Sequence, residues 1–204
     1  MRVALVALVG GLVLGLAAGG RPANAARARL RWPSLAVVAV ILAWAPRLLE
    51  ATASAAAVLV LCSLLALLAF ALANLRLTGM AVVALGLGLN ALVIAANDGM
   101  PVDPRAVVST GLARPEELAA IELGAGRQWQ EPDDRLAVLG DVVPVALLDE
   151  VVSFGDLVLA AGLANVGFRL LRPARRRSSA PWWRRGRRRW SGLNPSTGPW
   201  APAE

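Results

Sequence analysis

Residues 54–73 read SAAAVLVLCSLLALLAFALA, a run with no charge in which only Cys62 and Ser63 interrupt the apolar character past the first position. A hydrocarbon core about 30 Å thick is crossed by roughly 20 helical residues rising about 1.5 Å each. This stretch therefore predicts a membrane-spanning helix and sets the class of the chain. Comparable runs lie on both sides of it. Residues 3–20 form the most apolar stretch near either end, 79–97 are interrupted by Asn90, and 151–171 hold Ser153, Asp156 and Asn165. Residues 33–49 are harder, because Pro46 and Arg47 cut the apolar run short. This helix reaches full length by starting near Trp32 and continuing past a kink at Pro46, with Arg47 reaching outward.

Composition agrees with a membrane chain. Of 204 residues 57% are hydrophobic and 17% charged, with a mean hydropathy of +0.58, whereas a soluble domain sits near 45–50% apolar and about 25% charged. An ordinary soluble enzyme, a disordered chain and a disulfide scaffold are all excluded. There is no His, Tyr or Lys, all 21 basic residues are Arg, and Cys62 is the single thiol. That inventory excludes a Cys/His zinc site, a Ser-His-Asp triad and a lysine-bearing phosphate loop or Schiff base. The expectation is a protein that is not an enzyme and needs no cofactor or metal.

Charge placement fixes the number of spans. Arg21, Arg27, Arg29 and Arg31 follow the first run, Arg76 follows the third, and ten arginines from Arg169 to Arg189 follow the last. Five spans put all of these on one face and leave Arg2, Arg47, Arg105, Arg114, Arg127 and Arg135 on the other. The excess of arginine on short cytoplasmic segments then orients the chain with its N-terminus outside and its C-terminus in the cytoplasm of a bacterial cell. The expected fold is an all-α membrane protein, a bundle of five transmembrane helices at about 3–20, 33–49, 53–73, 79–97 and 151–171 in a membrane domain of residues 1–171. Residues 98–150 form an acidic extracytoplasmic loop and 172–204 a basic, disordered cytoplasmic tail. Arg2, the first apolar run and Ala23-Asn24-Ala25 also imitate a signal peptide. Cleavage would expose both the Arg27–Arg31 cluster and the tail outside, so a retained first helix is the better reading.

The extramembrane segments divide by sign. Residues 98–150 carry eleven acids against four arginines. Within them Pro115, Glu116, Glu117 and Gly124 mark a short helix that Leu118, Ile121 and Leu123 would rest on the membrane. Residues 136–148 read as an interfacial or re-entrant stretch. In the tail, Arg175, Arg176, Arg177, Arg184, Arg185, Arg187, Arg188 and Arg189 alternate with Trp182, Trp183 and Trp190. Being tethered to a span, this segment is expected to bind anionic inner-leaflet lipid, with nucleic acid disfavoured. Gly11, Gly15 and Gly19 make a small-residue face for close helix packing, within the chain or, as the alternative, in a homodimer. Residues 86–91, GLGLNA, match a dinucleotide fingerprint but follow no strand and are discounted.

Three further stretches carry polar groups at membrane depth: NALVIAANDGMPVDP at 90–104, LGDVVPV at 139–145 and VVSFGDL at 151–157. Together they resemble a family of small bacterial integral membrane proteins known only as a domain of unknown function. The resemblance implies no activity. Physically, Asn90 lies seven residues, about 10 Å, inside Asn97 on one helix face. Asp156 reaches a similar depth from the opposite direction. Asp156 then either hydrogen-bonds Asn90 or the 139–145 backbone to hold the outer mouth shut, or Asn90, Asn97, Asp98, Asp103, Asp141 and Asp156 line a polar vestibule. Arg105 and Arg135 are the nearest basic partners in sequence.

The leading functional expectation is a non-catalytic assembly or regulatory component of the cell envelope, working with an envelope protein partner. A small-solute or ion transporter with its site at the outer vestibule is the alternative, although no matching halves are present. An enzyme acting on lipid or isoprenoid substrates ranks below both, since Asp133-Asp134 is followed by Arg135, Leu136 and Ala137 and makes no D-D-x-x-D pattern.

Overall fold

The computed structural model describes residues 2–111 and 113–172. Seven α-helices are α1 (Arg2–Ala17), α2 (Pro22–Ala25), α3 (Pro33–Leu48), α4 (Ala53–Ala73), α5 (Met80–Asn97), α6 (Pro104–Ser109) and α7 (Phe154–Leu170). Four short strands join them: β1 (Met100–Val102), β2 (Arg127–Trp129), β3 (Asp141–Val145) and β4 (Glu150–Ser153). The five apolar runs of the sequence become the five long helices. Of these α4 and α5 are long and apolar enough to cross a membrane. Helices α1 and α3, at 16 residues each, are shorter apolar helices, and α7 has 17 residues. Sixteen residues rise only about 24 Å, less than the full hydrocarbon thickness.

The long helices pack side by side in the order α1–α7–α5–α4–α3, and neighbours alternate in direction except for the pair at one end. At the start of α1 the backbone N–H of Arg2 donates to Glu150 Oε1 (3.2 Å) and the Arg2 side chain to the Leu148 carbonyl (2.9 Å), just ahead of α7. At the far end of the same pair the Leu171 carbonyl accepts from Arg21 N–H (2.8 Å) and from Asn24 Nδ2 (2.9 Å). Helices α1 and α7 are thus parallel. Helix α5 runs against α7, with Gly79 beside Val166 and Gly86 beside Leu159. Helix α4 runs against α3: Ser63 Oγ donates to the Ala39 carbonyl (2.8 Å). Buried Asn74 closes that pair, donating to the Arg31 carbonyl (2.9 Å) and accepting from Arg31 N–H (2.8 Å).

One consequence is that the described acids are confined to one end. The end away from the strands carries Arg21, Arg27, Arg29, Arg31, Arg76, Arg169 and Arg172, and among the described residues no Asp or Glu. Every described acid is at the strand end. Meanwhile the helices turn Leu5, Val9, Val13, Ile41, Leu48, Val58, Leu65, Leu85 and Leu92 outward and exposed.

The expectation of an all-α chain with an acidic loop at 98–150 is corrected by a four-stranded sheet of order β2-β1-β3-β4. Strand β1 pairs in parallel with β2 and β3, and β3 pairs antiparallel with β4. This cap has its own core of Val102, Ala106, Val107, Ala113 and Val151, against which Leu118, Ile121, Leu123 and Trp129 pack. Leu118, Ile121 and Leu123 therefore face that core and do not rest the short helix on a membrane. Residues 136–148 are not re-entrant either; their valines supply β3. Pro144 is tolerated there because β1 reaches β3 only at Asp141 and leaves the rest of its edge open. Residues 151–153, expected to begin the last span, belong to β4, and Ser153 starts α7 as its N-cap.

Glycines set the helix spacing around α7. A Cβ at Gly86 would sit 2.5 Å from Leu159 N and 2.7 Å from the Gly155 carbonyl oxygen, and one at Gly162 2.6 Å from Val83 N. These are backbone atoms and cannot move aside cheaply. Gly88, on the same helix, has nothing within 4 Å. Gly86→Ala is therefore expected to destabilise the purified protein by about 1–3 kcal/mol, and Gly88→Ala to be neutral or slightly stabilising. Comparison of their thermal midpoints checks this; equal midpoints would contradict the packing.

Candidate functional site

Helix α7 begins where β4 ends, and its cap builds the site. Ser153, fully buried, accepts at Oγ from the Asp156 N–H (2.9 Å), a side-chain cap on the first turn. The same hydroxyl donates to Asn90 Oδ1 on α5 (2.8 Å), and Asn90 Nδ2 donates to Asp156 Oδ1 (2.7 Å). Three polar side chains from two helices and a strand end thus close a ring, which is how buried polar groups are accommodated without loss. Gly155 lies against Asn90 Oδ1 so closely that any side chain there would displace the amide.

Asp141, at the start of β3, stands next to this ring. Its side chain is 2% exposed, and Arg127 Nε lies 2.7 Å from Oδ2. That contact is an ion pair off the hydrogen-bond axis, for Oδ2 is buried and accepts no hydrogen bond. Burial pushes the Asp141 carboxyl up to about 6, against the pull of the Arg127 guanidinium and with a further push from the nearby Asp156 charge.

Both groups line a cavity of about 360 Å³, within the range of small-molecule pockets. All five long helices contribute to it. Buried Ser63 and Asn90 supply polar atoms inside, Val60, Leu64, Leu67, Ile94 and Met100 an apolar wall, and Arg2, Arg47, Arg127, Asp141, Glu150 and Asp156 the charges. Beyond Asn90 the space between α4, α5 and α7 is filled by Ala71, Met80, Val83, Ala84, Leu87 and Val166.

Of the six residues expected in one polar cluster, the structure brings together Asn90, Asp141 and Asp156. The other three are drawn elsewhere. Asn97 accepts from Arg135 N–H (2.7 Å) and donates to the Arg135 and Val93 carbonyls, pinning the 130s segment. Asp98 ends α5 in the left-handed conformation at φ 56°. Asp103 caps α6 by accepting from Arg105 N–H (2.8 Å). The basic partner is Arg127, where Arg105 and Arg135 were expected. Gly11 and Gly15 meet Ala164 and Phe168 of α7, so their face is occupied within the chain; Gly19 has no neighbour within 4 Å and instead turns the chain at φ +81°. Arg175, Arg176, Arg177, Arg184, Arg185, Arg187, Arg188 and Arg189 lie outside the described residues. Ser153 was visible as the first residue of a Ser-x-x-Asp capping pattern. Arg127, Ser63 and Arg47 carry no local signal. Among the described residues no group of three or more Asp, Glu and Cys converges as metal ligands.

A family model, described as a family of unknown function (DUF5317), matches residues 27–166. The chain belongs to DUF5317. No curated protein and no solved structure matches it. The DUF5317 match holds α3, α4, α5, the whole strand cap and most of α7, and so contains Asn90, Arg127, Asp141, Ser153 and Asp156. Helix α1 lies outside it.

Two outcomes follow from this geometry. Asp156→Leu leaves the Asn90 amide without its acceptor and should cost about 1–3 kcal/mol, while Asp156→Asn keeps an acceptor of the same size and should cost less; unfolding midpoints of the two variants check the order. For Asp141, the folded-state value near 6 exceeds the ordinary 3.8, so the folded protein holds a proton that the unfolded chain releases. Stability relative to Asp141→Asn is then greatest below the ordinary value and declines as pH rises through the folded one. The decline between about pH 4 and pH 7 should be on the order of 3 kcal/mol. A flat difference across that range would contradict the burial of Asp141.

Proposed function

We propose that this DUF5317 protein is an integral membrane protein with five spans. In this reading it acts without catalysis, as an assembly or regulatory component of a bacterial cell envelope. The observation that carries the membrane reading is the separation of charge: seven described arginines and no acid at one end of the helices, every described acid at the other. Outward-facing Leu, Val and Ile between those ends support it. By the positive-inside rule the arginine end lies in the cytoplasm and the strand cap outside. Short helices such as α1 and α3 are accommodated by local thinning and by Arg47 extending toward the headgroups.

The non-catalytic reading is supported by how the carboxylates are used. Asp156 accepts from Asn90, Asp103 caps a helix and Asp141 pairs with Arg127, so each has a structural partner. A transport reading is disfavoured by the apolar packing beyond Asn90, which gives a polar solute no continuation between α4, α5 and α7. What remains is a rigid folded cap held over the membrane, suited to engaging another envelope component.

Orientation is tested by single cysteines placed in a Cys62→Ser background and treated in intact cells with a membrane-impermeant maleimide. Glu122→Cys should label directly and Arg76→Cys only after permeabilisation. Labelling of both in intact cells, or of Arg76→Cys alone, would overturn the arrangement. For the assembly role, gentle affinity purification should return a defined partner protein; recovery of the chain alone in several detergents would contradict it.

A further inference from the structure

The cavity of about 360 Å³ has a chemical character that neither the fold nor the capping network uses up. It is zwitterionic: Arg2, Arg47 and Arg127 and Asp141, Glu150 and Asp156 line it together with an apolar wall. Arg127 is tied to Asp141. Arg47 differs, stacking its guanidinium on the Trp44 ring at 5.5 Å and making no ion pair among the described residues. Asp156 Oδ1 accepts from Asn90, and Asp141, also at the cavity wall, has Arg127 Nε 2.7 Å from its Oδ2.

The cavity also has a route to lipid. In the row α1–α7–α5–α4–α3 the end helices α1 and α3 share no packed interface, yet Arg2 of α1 and Ala43 and Arg47 of α3 both line the cavity. The row therefore curves into a half-ring whose open side lies between two helices with exposed apolar faces. Facing that side from the inner helices, Val60, Leu64 and Leu67 of α4 and Ile94 of α5 supply the apolar wall.

We propose that this cavity binds the headgroup of a phospholipid bearing a primary amine, with the phosphate on Arg47 and the ammonium directed to Asp156 and Asp141. A planar guanidinium suits a phosphate and can hold it with two parallel hydrogen bonds. An ammonium brings three N–H donors and one positive charge to two neighbouring carboxylates of which Arg127 balances one. The first carbons of the acyl chains lie along α4 and α5, and the chains leave between α1 and α3. The site deepens the membrane reading above and rests on it, but its test in detergent solution is independent of which face the cap occupies.

The full chain, purified in detergent, is titrated with phosphatidylethanolamine, phosphatidylcholine or phosphatidylglycerol and the bound lipid is counted by native mass spectrometry. One phosphatidylethanolamine should bind about tenfold more tightly than phosphatidylcholine, whose quaternary ammonium cannot donate a hydrogen bond. Asp156→Asn should abolish that preference, whereas Arg47→Gln should weaken both lipids about alike through their shared phosphate, and Arg47→Lys should keep part of the affinity. Phosphatidylglycerol, which has the phosphate and no ammonium, serves as the control: its binding should be unchanged by Asp156→Asn and weakened by Arg47→Gln. Soluble phosphoethanolamine should compete only weakly, lacking the apolar wall's contribution. Equal binding of the ethanolamine and choline lipids, a preference unaffected by Asp156→Asn, lipid affinity unaffected by Arg47→Gln, or phosphoethanolamine competing as well as the lipid would each overturn the assignment. The membrane orientation would stand in each case, because cysteine labelling measures it separately.

Discussion

Helix α7 has to satisfy three neighbours at once, and the buried ring of Ser153, Asn90 and Asp156 is where those demands meet. The helix packs against α1 on one side and α5 on the other, and its first turn emerges directly from β4. Its N-cap is therefore buried, at a depth where unpaired N–H groups are costly. Ser153 solves the cap, and its proton then needs an acceptor, which Asn90 provides. The Asn90 amide in turn needs an acceptor of its own, which is Asp156. Gly155, Gly86 and Gly162 are the steric counterpart, since none leaves room for a side chain between α5 and α7. The cap sheet hangs on this arrangement, because β4 pairs with β3 and β3 with β1.

The helices were legible in the sequence because apolar runs are local signals. Predicted runs at 53–73 and 79–97 became Ala53–Ala73 and Met80–Asn97, and α3 continues through Pro46 as the lone proline and Arg47 suggested. The sheet was not legible. Strands of three to five residues carry little periodicity, and β1 finds β2 through parallel pairing of Met100 with Arg127 across a long intervening segment. The apolar side chains that make its core, Val102, Val107, Leu118 and Trp129 among them, are scattered between prolines, glycines and acids and follow no strand period.

The candidate site divides along the same line. Asn90 and Asp156 could be paired from sequence because two helices of opposite direction put them at one depth. Asn97, Asp98 and Asp103 could not be assigned correctly in that way. At Asp98 the chain turns into the left-handed conformation and leaves the helix axis, after which depth along a helix no longer applies. Arg127 and Asp141 come together only because the sheet forms, so no spacing in the sequence announces them. Arg47 reaches the cavity only because α3 ends on the strand side of the row.

Ser153, Asn90 and Asp156 act as one energetic unit joining the cap to the helices. A double-mutant cycle measures this directly, comparing the unfolding free energies of Asn90→Ala, Ser153→Ala and the double variant with that of the parent chain. The buried ring predicts a coupling energy of about 1 kcal/mol or more, because the first substitution already strands the partner that the second removes. Additive effects, agreeing within about 0.3 kcal/mol, would contradict it and leave the cap held by β3–β4 pairing and side-chain packing alone.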